Sequence, residues 1–249
     1  MRVFDQGKGP AVLLIHAFPL NRTMWEPQFA SLIPHFRVIA PDIRGFGESQ
    51  PPSPWTMDEI ADDLNDLLNR LGIESCAVAG VSMGGYVALP FWSKYPQRIR
   101  QLVLANTRAR ADNEKERAAR NEMIAAIQQN GTAILPDRML PRLLKPNSPE
   151  AVVTVVRNMI ENVNPLAATH AVIAMRDRFD FSSAVHRVDC PTLVVSGEED
   201  AIMRAEDSRA LADSIPGSHF VQIPHSGHLS NLENPSEFNR ALLRFLRSM

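Results

Sequence analysis

Short apolar runs alternate with segments of helical periodicity over the first hundred residues of the chain. Met1 to Asp5 is a weak strand, closed by Gln6-Gly7-Lys8-Gly9-Pro10. Ala11 to Ile15 is a continuous apolar run, the pattern of a strand buried on both faces. Thr23 to Ile33 carries Trp25, Phe29, Leu32 and Ile33 near helical spacing, and Phe36 to Ala40 reads as the next strand. A glycine-rich turn, Pro41 to Ser49, and a proline-rich loop, Pro51 to Trp55, follow. Thr56 and Glu59 are spaced as a capping box at the start of a helix. Its inner stripe is Ile60, Leu64, Leu67, Leu68 and Leu71, and Gly72 ends it. Ser75 to Val81 predicts a buried strand, with a helix to Tyr95 after it and a strand Ile99 to Ala105 beyond.

Arg108 to Arg187 has no strand pattern. It predicts helices near Asp112–Asn130, Ala133–Leu144, Pro149–Asn162 and Pro165–Arg178, separated by prolines. Alternation resumes with a strand Thr192–Ser196, a helix Arg204–Ile215, a strand His219–Ile223 and a helix Ser236–Leu246. Strand–helix alternation requires right-handed crossovers and a mostly parallel sheet. The fold class is therefore α/β: a central sheet flanked by helices, built from 1–107 and 188–249, with a helical insertion at 108–187. The insertion leaves from the C-terminal edge of a strand, where ligands of open α/β sheets sit.

Composition narrows the function. The chain has 249 residues, 45% of them hydrophobic, and a net charge of −2. There is no basic field for nucleic acid, and no apolar run long enough to span a membrane. A small ligand is expected, with no nucleic-acid or membrane partner. The two cysteines, Cys76 and Cys190, read as buried free thiols suited to a reducing, cytoplasmic setting. The charged stretch Asp112–Arg120 reads as a solvated helix face.

Candidate chemistry centres on Gly80-Val81-Ser82-Met83-Gly84. A serine between a buried strand and a helix, with glycine two places away on each side, marks a turn tight enough to exclude β-carbons. Such a serine needs a base. Seven histidines are present, and His225 and His228 share the loop after the last strand. The base in turn needs an acid. Asp200, in Gly197-Glu198-Glu199-Asp200 after the Thr192–Ser196 strand, is placed to supply it, with Glu198 and Glu199 as solvated neighbours. Asn106 is uncharged and cannot take that part. Oxyanion donors are expected at the Met83 N–H, on the helix start, and at the Phe18 N–H, in the loop after Ala11–Ile15. His16 reads as a structural brace of that loop.

These stretches, together with His16-Ala17-Phe18-Pro19, Pro41-Asp42-Ile43-Arg44-Gly45-Phe46-Gly47-Glu48-Ser49 and Gly227-His228, resemble the α/β-hydrolase superfamily over nearly the whole chain. The resemblance implies a serine hydrolase with Ser82, Asp200 and His228 as its triad, Phe18 and Met83 as oxyanion donors, and the insertion as a cap. It implies no metal and no organic cofactor. Where the family usually has glycine, this chain has Ala17, expected in an ordinary conformation. The subgroup is similar to carboxylesterases and 3-oxoadipate enol-lactonases. Carbon–carbon bond hydrolases and a slow-turnover small-molecule receptor are the alternatives. Trp25, Trp55 and Trp92 all lie outside the insertion, unlike many lactonase caps. The insertion's methionines, with Phe18 and Trp25, suggest an apolar pocket for small to medium esters or lactones. Arg138, Arg142 and Arg178 are candidates for a substrate carboxylate, with solvent exposure or an internal ion pair as the expected fate. Monomer and homodimer are both compatible with the sequence.

Overall fold

The computed structural model describes residues 1–49 and 53–248; the Pro51–Pro52 part of the anticipated proline-rich loop lies outside them. In chain order the elements are β1 (Val3–Gln6), β2 (Ala11–Ile15), α1 (Glu26–Leu32), β3 (Arg37–Pro41), α2 (Met57–Arg70), β4 (Cys76–Val81), α3 (Met83–Lys94) and β5 (Ile99–Ala105). Four helices follow: α4 (Glu114–Asn130), α5 (Leu135–Leu143), α6 (Glu150–Glu161) and α7 (Pro165–Arg176). Then come β6 (Thr192–Gly197), α8 (Ala205–Asp213), β7 (His219–Ile223), α9 (Ser230–Glu233) and α10 (Pro235–Leu246).

The strands form one seven-stranded sheet in the order β1-β3-β2-β4-β5-β6-β7. Among the described residues, only β1 runs antiparallel to its neighbour, pairing Val3 with Pro41 and Gln6 with Val38. The other pairs are parallel, with Ala11 opposite Cys76 and Leu102 opposite Thr192. Every residue of β4 is buried, as its unbroken apolar sequence requires. Helix α3 is apolar nearly all round and is buried from Met83 to Trp92. At the start of α2 the Thr56 hydroxyl accepts from the Glu59 N–H at 3.2 Å, and the Glu59 carboxylate accepts from the Thr56 N–H at 2.7 Å.

Some boundaries differ from expectation for backbone reasons. The segment Thr23–Ile33 divides into a 3₁₀ turn, Arg22–Trp25, and α1. Pro27 lies in the first turn of α1 and has no N–H to extend an α-helix backwards. Likewise Gly131–Ile134 is a 3₁₀ turn before α5, whose first turn holds Pro136. The short α9 has too few residues to leave a periodic signal.

The insertion leaves after β5 and returns before β6, two strands adjacent in the sheet. Helix α4 packs against α7, and α5 against α6. The two ends of the insertion are tied together by Phe181 N–H donating to Ala109 O at 2.9 Å and Ala111 N–H donating to Asp180 Oδ2 at 3.0 Å. Among the described residues, no helix is long and apolar enough to cross a membrane.

Candidate active site

Ser82 occupies the sharp turn between β4 and α3 with φ 54° and ψ −113°. This is an unfavourable backbone for a non-glycine residue, costing about 1–3 kcal/mol. The turn is held by Ser82 N–H donating to Ala105 O at 2.9 Å and by the Thr107 hydroxyl donating to Ser82 O at 2.9 Å. The flanking glycines are required by contact. A Cβ on Gly80 would lie 2.3 Å from Gly84 O, and one on Gly84 would lie 2.2 Å from Ile15 O.

His228 follows β7 and is 1% exposed; its Nε2 lies 2.8 Å from Ser82 Oγ. Its Nδ1 faces Asp200 Oδ2 at 2.9 Å and Oδ1 at 3.0 Å. Asp200 follows β6 at the same sheet edge. Its Oδ1 accepts from the N–H groups of Ile202 at 2.8 Å and Met203 at 2.9 Å. Its Oδ2 accepts from Asn106 Nδ2 at 2.9 Å. Burial pushes the Asp200 carboxyl up, but the charge and hydrogen bond of His228, the Met203 N–H and the Asn106 amide outweigh it and hold it below the usual value. The ring of His228, not that of His225, meets Ser82. His225 is exposed, its N–H on Glu198 Oε2 at 2.9 Å.

Asn106 is a member of the site that sequence reasoning set aside. It is not the acid, but its amide donates to the acid, and its Oδ1 accepts from the Ser230 hydroxyl at 2.6 Å. The one sequence signal was a polar residue directly after the apolar run of β5; the structure places it in a left-handed conformation, φ 48°.

Phe18 lines the cavity beside Ser82, and Met83 follows Ser82 as the first residue of α3. Among the described residues, neither N–H donates to a protein acceptor. Ala17 lies outside the left-handed region, as expected. His16 is fully buried, with Nδ1 on Ala17 O at 2.9 Å and Nε2 accepting from Ile43 N–H at 3.0 Å. Burial pushes its pKa down, so the ring is a neutral brace joining two loops.

A cavity of about 150 Å³ opens on Ser82 and His228. Its apolar wall includes Phe18, Met123, Met139, Leu143, Met175 and Ile202. Trp25 does not reach it, being buried against Phe238 at 6.2 Å between ring centroids. The reading of Asp112–Arg120 as a solvated face holds for Asn113, Glu114, Lys115 and Arg117, which are exposed, but Asp112, Glu116 and Arg120 turn to the cavity, and Asp112 is buried. Arg108, Arg178 and Arg120 surround the Asp112 carboxylate at 2.6, 2.7 and 3.1 Å, which is why a charge can be buried there. Burial raises the Asp112 carboxyl, yet Arg120 and Arg178 bring it below its ordinary value. Hydrogen bonding to Arg110 holds Glu116 down to about 2. Arg178 has the internal ion pair anticipated for it and stacks 4.0 Å from the Tyr86 ring. Arg142 lines the cavity, whereas Arg138 is exposed outside it. Cys76 is buried, with its thiol pushed up to about 12, but Cys190 is only half-buried because it sits in the turn before β6.

A family model for the alpha/beta hydrolase fold matches residues 10–235. The chain belongs to the α/β-hydrolase family. Among solved α/β-hydrolase structures, an esterase from Thermogutta terrifontis with malate bound is 41% identical, with a TM-score of 0.95, over 99% of this chain and 92% of that one. The enol-lactonase of Burkholderia xenovorans LB400 is 26% identical, with a TM-score of 0.92, over 98% and 95% of the two chains. The 3-oxoadipate enol-lactonase 2 of Acinetobacter baylyi is 27% identical over 245 residues, 96% of this chain and 89% of that protein. This α/β-hydrolase is thus a hydrolase similar to esterases and enol-lactonases alike.

Proposed function

We propose that the protein is a serine hydrolase that cleaves small carboxylic esters through an acyl-enzyme, with the insertion 108–187 as a cap over the site. The observation that carries this reading is the hydrogen-bonded chain from Ser82 Oγ to His228 Nε2 at 2.8 Å and from His228 Nδ1 to Asp200 at 2.9 Å. A hydroxyl is a poor nucleophile until a base takes its proton. His228 is the base, Ser82 Oγ attacks the ester carbonyl, and Asp200 holds the Nδ1 proton and stabilises the imidazolium. The N–H groups of Phe18 and Met83 receive the oxyanion, the latter aided by the start of α3. His228 then protonates the departing alcohol. Water enters, loses a proton to His228 and attacks the acyl carbonyl; His228 returns that proton to Ser82 Oγ as the acyl–oxygen bond breaks, and the acid is released.

The identity to the Thermogutta esterase favours an open-chain ester. The likeness to the enol-lactonases keeps a lactone as a second substrate for the same triad. Purified protein turned over on short p-nitrophenyl esters and on a lactone tests this. Multiple turnovers that fall by at least about 10⁴-fold in Ser82→Ala are expected. A single slow turnover would instead identify a receptor, and full activity in Ser82→Ala would remove the triad from the reaction.

A further inference from the structure

We infer that the arginine-lined wall of the cavity is a carboxylate subsite, so that the preferred ester carries a second, free carboxylate. The inference rests on the esterase reading for the bond that is cut, while the subsite follows from the balance of donors and acceptors.

All four carboxylate oxygens of the two acids of this wall are engaged. Asp112 Oδ1 accepts from Arg108 Nη2 at 2.6 Å and Arg178 Nη1 at 2.7 Å, and Oδ2 accepts from Arg120 Nε at 3.1 Å. Glu116 Oε1 accepts from Arg108 Nη1 at 2.7 Å and Arg110 Nη2 at 2.8 Å. Its Oε2 accepts from Arg110 Nη1 at 2.6 Å and the Asn113 N–H at 2.9 Å. Two carboxylates are thus shared among four guanidiniums.

The donors are not saturated. Among the described residues, Arg120 Nη2 has no acceptor, and Arg120 Nη1 meets only the Met175 thioether at 3.6 Å. Arg142 comes from α5 to the same cavity, and its guanidinium has no acceptor among the described residues. Arg108 is 8% exposed, yet its Nε is unpartnered, as is the buried Tyr86 hydroxyl. Both residues line the cavity. A cavity wall with surplus cationic donors recognises an anion, and planar guanidiniums match a carboxylate in particular. The rest of the lining includes Met123, Met139, Leu143, Met175 and Met203, so the body of the ligand is apolar.

The test has two readouts. Glutarate is titrated calorimetrically into Ser82→Ala protein, with inorganic phosphate as the comparison anion. Wild-type kcat/KM is measured for p-nitrophenyl hydrogen glutarate against p-nitrophenyl butyrate, and for acetoxyacetate against ethyl acetate. The second pair places the carboxylate on the alcohol side. Glutarate is expected to bind, and one acidic ester to exceed its neutral counterpart roughly tenfold, the scale of a charge-assisted hydrogen bond. Arg142→Ala, an exposed residue whose loss leaves no buried partner, is expected to weaken glutarate about tenfold and to lower the acidic-to-neutral ratio through KM. Arg120→Lys should retain more of that ratio than Arg120→Met. Glutarate binding no tighter than phosphate, or a ratio that Arg142→Ala leaves unmoved, overturns the subsite. Arginine-dependent glutarate binding without any ester cleavage would overturn the esterase reading and leave the subsite standing. Ser82-dependent butyrate cleavage without glutarate binding would do the reverse.

Discussion

At the scale of single residues, the site depends on groups that hold other groups. Asp200 is buried, and a buried carboxylate must have its oxygens satisfied to remain ionised. Four donors do this, one of them Asn106. Asn106→Ala removes a donor to a charged acceptor and leaves a methyl-bearing residue at φ 48°. The expected result is a roughly tenfold lower kcat and a loss of about 1–3 kcal/mol of stability. Asn106→Gly relieves the backbone and recovers part of the stability but not kcat. Urea denaturation beside ester kinetics separates the two effects, and an unchanged kcat in both variants would remove Asn106 from the site. That Ser82, His228 and Asp200 meet was legible in the sequence because glycine spacing and chain order constrain them. Asn106 was not, since an uncharged side chain signals nothing until the strand beside it is known.

At the scale of elements, the loop bearing His228 is fastened to the insertion. The α9 residue Glu233 accepts from Gly227 N–H at 2.7 Å, from Lys145 N–H at 2.8 Å and from the Ser148 hydroxyl at 2.6 Å. Leu229 N–H also donates to Leu143 O at 3.1 Å. Burial pushes the Glu233 carboxyl above its ordinary value despite these donors. A carboxyl raised in the folded state binds a proton more tightly there than in the unfolded chain. Its favourable contribution is therefore complete below the unfolded value near 4.5 and is lost as pH rises through the folded value. The stability difference between wild type and Glu233→Gln is expected to favour wild type most at acidic pH and to shrink toward neutrality. Urea midpoints across that range check this, and a constant difference would contradict it. None of this could be read beforehand, because contacts between α9 and the end of α5 depend on how the insertion settles on the sheet. The same limit hid the inward turn of Asp112, Glu116 and Arg120 within an otherwise exposed stretch. Charge along a helix reports no burial when the partners, Arg108 and Arg178, come from beyond its ends.

At the scale of the whole molecule, Asp112, Glu116 and Asp200 are all held below their ordinary values. Their contributions are present above the unfolded carboxylate range and are lost as pH falls, down to about 2 for Glu116. They outnumber the opposing Glu233, so the urea midpoint is expected to drop steeply on acidification. High salt at neutral pH should move it little, because the Asp112 and Asp200 pairs are buried from screening. A midpoint as sensitive to salt as to acid would show that exposed pairs dominate instead. The sheet itself was plain from alternating apolar runs, whereas the angle at which the inserted helices meet it left no periodic trace. The adjacency of β5 and β6 has a practical corollary. The departure and return points of the inserted helices stand side by side and are clasped at their own base by Phe181 and Ala109. Such a segment can be exchanged for another as a graft without re-threading any strand, provided the replacement also receives the Leu229 N–H and engages Glu233 as Leu143, Lys145 and Ser148 do.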